Sequence, residues 1–199
     1  DNAELQELQV QAVEGVDVVK KEGRQRLYEA LRGQKIQILI NNAGLLKPSS
    51  LENLDEEGIL QQFQVNALGP LLLTQGLRSF LAPQSKVVMI SSRMGSIEDN
   101  TSGGAYGYRM SKAALNMASS SLAQDLAGEN IAVGLFHPGY VKTKMTGGRG
   151  YVTTHESVQG IVQQIEDLEP DKKITKPVPK KMKVKVIFFF LYLKINNDK

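Results

Sequence analysis

The chain alternates short, unbroken apolar runs with longer mixed segments, and this alternation restricts its fold more than any other feature. The apolar runs are rich in Val, Ile and Leu and carry no regular polar alternation. That pattern is typical of strands covered on both faces of a parallel sheet. We predict four such strands, Ala12–Val19, Ile36–Asn41, Lys86–Ser91 and Ile131–His137.

The segments between and after these runs have helical length. We predict helices at Lys20–Gly33, Asp55–Leu81, Ala105–Gly128 and Thr154–Leu168. Within the second, the Gly-Pro pair at 69–70 predicts a kink, because proline has no amide hydrogen for the preceding turn. Strands that alternate with helices indicate an α/β fold with a doubly wound parallel sheet.

Composition excludes several kinds of site. Hydrophobic residues make up 41% and charged residues 23% of the 199 residues, which is ordinary for a globular domain. The chain has no cysteine and only two histidines, His137 and His155, so we expect no disulfide and no metal site. The acidic, polar N-terminal residues do not resemble a secretory signal, and a cytoplasmic location is predicted.

Positive charge is concentrated at the C-terminal end of the chain. Residues 169–199 contain nine lysines against three acids, whereas residues 1–168 contain 15 basic and 18 acidic residues. We therefore expect one domain over 1–168, a divergent lysine-rich tail over 169–199, and no nucleic-acid-binding face on the domain. The apolar run Val186–Leu193 is far shorter than the roughly 20 residues of a membrane-spanning helix. It is interpreted as a short strand or a foreign terminus, with a weak membrane or partner contact as the alternative.

Small and polar residues follow three of the predicted strands, at the sheet edge where such folds bind ligands. The segments are NNAG at 41–44, SSRMGS at 91–96 and HPGYVKT at 137–143. Two glycines in them, Gly44 and Gly139, would let a ligand approach the backbone closely.

Tyr108 and Lys112 are spaced to lie on one face of a helix. A neighbouring ammonium favours the phenolate and lowers the tyrosine pKa. Such a tyrosine could protonate a carbonyl oxygen as hydride arrives, or deprotonate an alcohol. The alternative is that Tyr108 only packs at the start of the helix beside a solvated Lys112, because that arrangement gives the same spacing. Tyr140 and Lys144 also share it, but they lie in a predicted loop.

Taken together, these segments resemble the short-chain dehydrogenase/reductase family over residues 1–168. The motifs follow the family's order and approximate spacing: NNAG at 41–44, Asn66 in FQVNALGP, ISS at 90–92, YRMSK at 108–112 and HPGYVKT at 137–143. The segment 91–116, with DN and GG before YRMSK, resembles in particular the C-factor-like and sniffer-like carbonyl reductases.

The resemblance implies a role for each matching residue. Tyr108 would be the general acid/base, and Lys112 would lower its pKa and hold the nicotinamide ribose. Ser92 would orient the substrate oxygen. Asn66 would hold a water in a proton relay, the alternative being a polar residue tolerated beside a kink. The residues implied to line the cofactor are Asp17 at the adenine, Asn41, Ala43 and Gly44 at the adenosine ribose, and Pro138, Gly139, Val141 and Thr143 at the nicotinamide.

The function implied is transfer of a hydride between NADP(H) or NAD(H) and a carbonyl or alcohol substrate. Family members often form dimers through the helices that match 55–81 and 105–128, so a homodimer is expected. A non-catalytic product that acts by association is the alternative.

Two departures from the family modify this expectation. The glycine-rich TGxxxGxG turn, whose amides face the cofactor pyrophosphate, is absent from the sequence. The residues after 168 do not match the family's last strand. We therefore expect a partial Rossmann-like sheet without its first two strands, in which Ile36–Asn41 becomes an apolar edge. For the same reason, residues 1–199 alone are expected to be a poor dehydrogenase.

Overall fold

The computed structural model describes residues 10–170 and contains a three-stranded parallel sheet. The strands are β1 (Ile36–Asn41), β2 (Leu81–Ile90) and β3 (Ala132–Phe136), in the order β1-β2-β3. The predicted α/β fold with a parallel sheet is confirmed. Within the described residues β1 pairs only with β2, so it is an edge strand, as expected.

Five α-helices accompany the sheet within residues 10–170: α1 (Lys21–Ala30), α2 (Glu56–Phe63), α3 (Gly69–Leu77), α4 (Tyr106–Ala127) and α5 (Thr154–Glu166). A π-helical turn, Gln64–Leu68, joins α2 to α3, and α3 continues into the 3-10 turn Arg78–Phe80. The predicted helix at 55–81 is thus one interrupted helical stretch. Its irregular turn directly precedes the Gly-Pro pair, because proline cannot donate to the turn before it.

The predicted first strand, Ala12–Val19, is not a strand. The segment is irregular, turns at Gly15 with φ +67°, and has no strand partner among the described residues. Its apolar residues nevertheless enter the core, since Val16 is 8% and Val18 is 2% exposed. Val18 packs against Gly69. The apolar run therefore reflects burial against a helix, which hydrophobic pattern alone does not distinguish from a buried strand.

Helices cover both faces of the sheet, which explains the unbroken apolar runs. Successive side chains of β2 point to opposite faces. Val87 and Met89 belong to the larger core cluster with α1, α3 and α4, whereas Val88 packs with Phe136 and Ile165 in the smaller one. All three β2 residues are fully buried.

Lys86 connects the central strand to the end of α5. Its Nζ atom donates hydrogen bonds to the carbonyl oxygens of Ile165 at 2.6 Å and Glu166 at 2.9 Å. These carbonyls belong to the last turn of the helix, which leaves them without intrahelical donors. The lysine therefore anchors α5 on the sheet.

Among the helices of residues 10–170, none is long and apolar enough to cross a membrane. The predicted tail lies outside the described residues from position 171 onward, and so does the apolar run Val186–Leu193.

Candidate active site

The carboxyl ends of the three strands lie side by side because the sheet is parallel. Three loops leave the sheet there, at residues 42–55, 91–105 and 137–153. Helix α4 begins beside them and packs on the 3-10 turn Arg93–Gly95 that follows β2. The segments singled out in the sequence therefore surround one edge of the sheet, where ligands bind in open α/β folds.

Tyr108 and Lys112 occupy the first two turns of α4, and both side chains are buried. The Nζ atom of Lys112 lies 5.7 Å from the centroid of the Tyr108 ring, over its face. It donates a hydrogen bond of 2.8 Å to the carbonyl oxygen of Ile90, the last residue of β2. The ammonium thus fastens the helix to the end of the central strand.

Burial dominates the acid–base properties of this pair. It raises the pKa of Tyr108, and hydrogen bonding by the Ser92 side chain opposes that rise. Burial also lowers the pKa of Lys112 to about 8. The pKa of Tyr108 is therefore raised, contrary to the expectation from the sequence. The loss of hydration around the phenol outweighs the Ser92 hydrogen bond, and the Lys112 ammonium donates to the Ile90 carbonyl rather than to the phenol.

The two serines after β2 have different partners. Ser92 begins the 3-10 turn, and its Oγ atom accepts a hydrogen bond from the amide of Met94 at 3.2 Å. It is also the serine that interacts with Tyr108. Ser91 is buried, and its Oγ atom donates to the side-chain oxygen of Asn116 at 2.7 Å. Only one of the two hydroxyls therefore faces the phenol, because side chains alternate along an extended segment.

Asn116 and Gly95 belong to the site's framework but were missed by the sequence analysis. Asn116 donates through Nδ2 to the carbonyl oxygen of Gly95 at 3.2 Å. A Cβ atom at position 95 would stand 2.7 Å from the backbone carbon of Lys112, so only glycine fits there. Asn116 follows Tyr108 and Lys112 on the same helical face at a further four-residue step, and that spacing could have revealed it.

Asn66 lies in the π-helical turn and is fully buried. Its Oδ1 atom accepts from the amide of Leu45 at 2.7 Å, and its Nδ2 atom donates to the Leu45 carbonyl at 2.8 Å. The same Nδ2 donates to Ser111 Oγ at 2.9 Å, and Ser111 in turn donates to the carbonyl of Tyr108 at 2.8 Å. Asn66 thus connects the loop after β1 to α4 through hydrogen bonds. Its predicted part in a proton relay stays a prediction.

A shallow depression lies at the end of β1. Asn41 is buried there and donates through Nδ2 to Thr74 Oγ1 at 3.4 Å. Asp17 directly precedes Val18, which lines the depression. Its side chain accepts a hydrogen bond of 2.9 Å from the amide of Val19. The residues that line the depression are Val18, Ile40, Asn41, Asn42, Ala43, Pro70 and Leu73.

The first residues of the loop after β3 are fixed by a hydrogen bond to α5 and by a turn. The carbonyl of Pro138 accepts a hydrogen bond of 2.7 Å from Ser157 Oγ at the start of α5. Gly139 has φ +86°, a left-handed conformation that favours glycine. The predicted residues Pro138 and Gly139 thus turn the chain away from the sheet edge.

Farther along, the same loop approaches the loop after β1. Val141 forms a bridge with Val152, and Thr143 caps a short 3-10 turn. From that turn Met145 reaches to Gly44, with its Cε atom 3.8 Å from the position that a Cβ atom would take. The cleft at the sheet edge is therefore bordered by both loops.

The second tyrosine–lysine pair is organised differently. Tyr140 is 43% exposed, and its ring packs edge-on against Tyr151, with centroids 5.4 Å apart. Lys144 is exposed in the 3-10 turn. The alternative pair therefore lacks the buried setting of Tyr108 and Lys112.

The described residues fit the nicotinamide half of a dinucleotide. An ammonium has three donors, and the Ile90 carbonyl takes one of those on Lys112. Two therefore remain for ribose hydroxyls. Gly44 leaves room for a ligand near the backbone, since a Cβ atom there would have no neighbour closer than Asn66 Oδ1 at 3.7 Å. Residues 10–170 contain no TGxxxGxG motif, the glycine-rich turn whose amides face the pyrophosphate in the short-chain dehydrogenase/reductase family.

Comparisons with known proteins agree with this arrangement. The family model described as short chain dehydrogenase matches residues 2–151. The chain is 36% identical over 177 residues to 1-hydroxy-2-glutathionyl-2-methyl-3-butene dehydrogenase of Rhodococcus sp. (strain AD45), and the match covers 86% of this chain and 78% of that protein.

Two solved structures share the fold. The carbonyl reductase Sniffer of D. melanogaster superposes with a TM-score of 0.72 at 31% identity, over 77% of this chain and 69% of that one. The NADPH-bound carbonyl reductase from chicken fatty liver superposes with a TM-score of 0.76 at 31% identity, over 84% and 76%. The resemblance to sniffer-like carbonyl reductases is thereby confirmed.

Proposed function

This chain belongs to the short-chain dehydrogenase/reductase family and is an oxidoreductase, and we propose that it acts as an NADP(H)-dependent carbonyl reductase. The single observation that carries the proposal is the buried Tyr108 beside Ser92 and Lys112 at the carboxyl end of β2. The NADPH-bound neighbour favours NADP(H) over NAD(H).

The proton chemistry follows from the pKa of Tyr108. Because burial raises that pKa, the phenol is protonated at neutral pH and can donate to a carbonyl oxygen. Ser92 can hydrogen-bond the same oxygen as negative charge develops on it. The chemistry that a bound nicotinamide supplies is hydride transfer. Proton donation by a protonated tyrosine favours reduction of a carbonyl, and alcohol oxidation needs the phenolate.

Lys112 would hold the cofactor at the nicotinamide ribose. The other residues proposed to line the cofactor are Asp17, Asn41, Ala43, Gly44, Pro138, Gly139, Val141 and Thr143. Asn41 and Ala43 line the depression at the end of β1, and Gly44 faces Met145 across the cleft. A cytoplasmic location remains a prediction from the sequence.

A homodimer through the long helices remains part of the proposal. Leu60 and Phe63 on α2 are 55% and 41% exposed, and Met110 and Met117 on α4 are 57% and 69% exposed. The two helices pack on each other, so these apolar side chains belong to neighbouring surfaces. Light scattering of the protein and of a Met110→Ser, Met117→Ser variant tests the assembly.

The test of the activity uses two proteins. One is the 199-residue chain, and the other is the same chain preceded by a glycine-rich strand–helix–strand unit of the family. Each protein is assayed with NADPH and NADH on aromatic and aliphatic carbonyls. The more active of the two is called the reference enzyme, and all substitutions are made in it. Tyr108→Phe should lower turnover by about 10²–10⁴-fold, whereas Tyr140→Phe should not. Equal activity of the reference enzyme and Tyr108→Phe would refute the proposal.

A further inference from the structure

Three consecutive residues before α4 have left-handed backbone conformations. Gly103, Gly104 and Ala105 have φ values of +63°, +61° and +47°. For a residue with a Cβ atom this conformation costs about 1–2 kcal/mol, and it normally occurs as single residues. The turn 103–105 therefore needs external support, above all at Ala105, which immediately precedes the helix.

Arg109 supplies that support from the first turn of α4. Its Nε atom donates to the carbonyl oxygens of Gly103 at 3.3 Å and Gly104 at 3.2 Å, and its Nη2 atom donates to Ser102 Oγ at 2.9 Å. Its amide donates to the Ala105 carbonyl at 3.0 Å. A guanidinium holds several donors in one rigid plane, whereas an ammonium is a point charge on a flexible stem.

The same turn is fastened to the loop after β1. The amide of Ala105 donates to the carbonyl oxygen of Ser49 at 2.8 Å. Gly104 lies against that oxygen, which would be 3.5 Å from a Cβ atom at position 104. The position of the turn therefore determines where α4 begins, and Tyr108 lies one helical turn beyond Ala105.

We propose that Arg109 is a positioning residue, which holds the turn 103–105 against the Ser49 carbonyl and so orients the Tyr108 hydroxyl toward Ser92. Arg109 acts through the backbone of α4, without a part in proton or hydride transfer. This inference rests on the proposed function, in which Tyr108 donates the proton.

Arg109→Met and Arg109→Lys in the reference enzyme test the inference, with Arg78→Met as the matched control. Arg78 forms an exposed ion pair with Glu129 and lies outside the site. Arg109→Met should lower kcat on the order of 10²-fold, since small displacements of a reacting group have such effects. The KM for NADPH should change far less than kcat, because Asn66 still holds the loop after β1 at Leu45. Arg109→Lys should restore only part of kcat, and Arg78→Met should match the reference enzyme.

Two further measurements separate positioning from simple stabilisation. Low concentrations of guanidinium ion should raise kcat of Arg109→Ala and leave kcat of Tyr108→Phe unchanged. Hydrogen exchange of the amides at 103–106 should be faster in Arg109→Met than in Arg78→Met.

A normal kcat in folded Arg109→Met would overturn the proposal, as would full activity in Arg109→Lys or the absence of guanidinium rescue. If one of these outcomes were found and Tyr108→Phe were inactive, the proposed function would still be supported. A fully active Tyr108→Phe would instead overturn the function.

Discussion

The ammonium of Lys112 lies over the face of the Tyr108 ring, 5.7 Å from its centroid, inside the protein. Burial lowers the pKa of Lys112 from an ordinary 10.5 to about 8. The lysine that holds the helix to the strand therefore carries a penalty for its buried charge. That penalty makes the stability of the protein depend on pH in a specific way.

Lys112→Met should reveal this dependence. Below pH 8 the lysine is protonated in the folded and the unfolded chain, so the penalty is fully present. As pH rises from 8 toward 10.5, the folded state releases its proton first and the penalty disappears. Relative to Lys112→Met, wild type should therefore gain up to roughly 3 kcal/mol in free energy of unfolding between pH 7 and pH 10.

Urea unfolding of both proteins across this pH range measures the effect. Lys21→Met is the control, because Lys21 is exposed at the start of α1. Parallel curves for wild type and Lys112→Met would contradict a lowered lysine pKa.

The two serines after β2 should separate activity from stability. Ser92→Ala removes the hydroxyl that interacts with Tyr108 and should lower turnover on the order of 10²-fold with a small effect on stability. Ser91→Ala leaves the side-chain oxygen of Asn116 without its donor and should lower the free energy of unfolding by about 1–3 kcal/mol. Steady-state kinetics and urea titrations on both variants provide the comparison. A larger loss of turnover in Ser91→Ala would reverse the assignment.

Gly95 should tolerate no side chain. A Cβ atom there would overlap the backbone of Lys112 at 2.7 Å, so Gly95→Ala should cost about 1–3 kcal/mol of stability. Turnover should also fall, because α4 must move away from the end of β2. Gly128→Ala is the matched control, since a Cβ atom at Gly128 meets nothing within 4 Å and its φ is −65°. Thermal unfolding that ranks Gly128→Ala below Gly95→Ala would refute this packing.

Ala105→Gly should stabilise the protein. The left-handed φ of +47° strains alanine by about 1–2 kcal/mol, while glycine adds about 0.4–1 kcal/mol of unfolded-chain entropy. The net gain should reach about 1 kcal/mol and raise the melting temperature. Ala127→Gly, at the regular end of α4, should lower it instead. A lower melting temperature for Ala105→Gly would mean that this turn is unstrained.

Local spacing is what the sequence by itself determined. The four-residue step from Tyr108 to Lys112 places both on one face wherever a helix forms, because helix geometry is fixed by the backbone. Three of the four predicted strands overlap β1, β2 and β3, since residues covered on both faces leave an unbroken apolar run. The predicted start of β2 was wrong: the strand begins at Leu81, before Lys86, in a stretch that contains the polar residues Gln84 and Ser85. The edge of the sheet where the polar loops meet followed from the parallel order.

Only the tertiary structure decided which partners these residues meet. Ala12–Val19 has the composition of a strand, but a strand exists only where a second strand pairs with it, and no apolar run specifies its neighbour. The pKa of Tyr108 is raised because burial outweighs the hydrogen bonding of the Ser92 side chain, and burial is a property of the packed fold. Asn66 likewise forms hydrogen bonds with Leu45 and Ser111 only because packing brings these distant parts of the sequence together. Hydrogen bonds and desolvation act between atoms that packing brings together, whereas periodicity reports only on neighbours along one element.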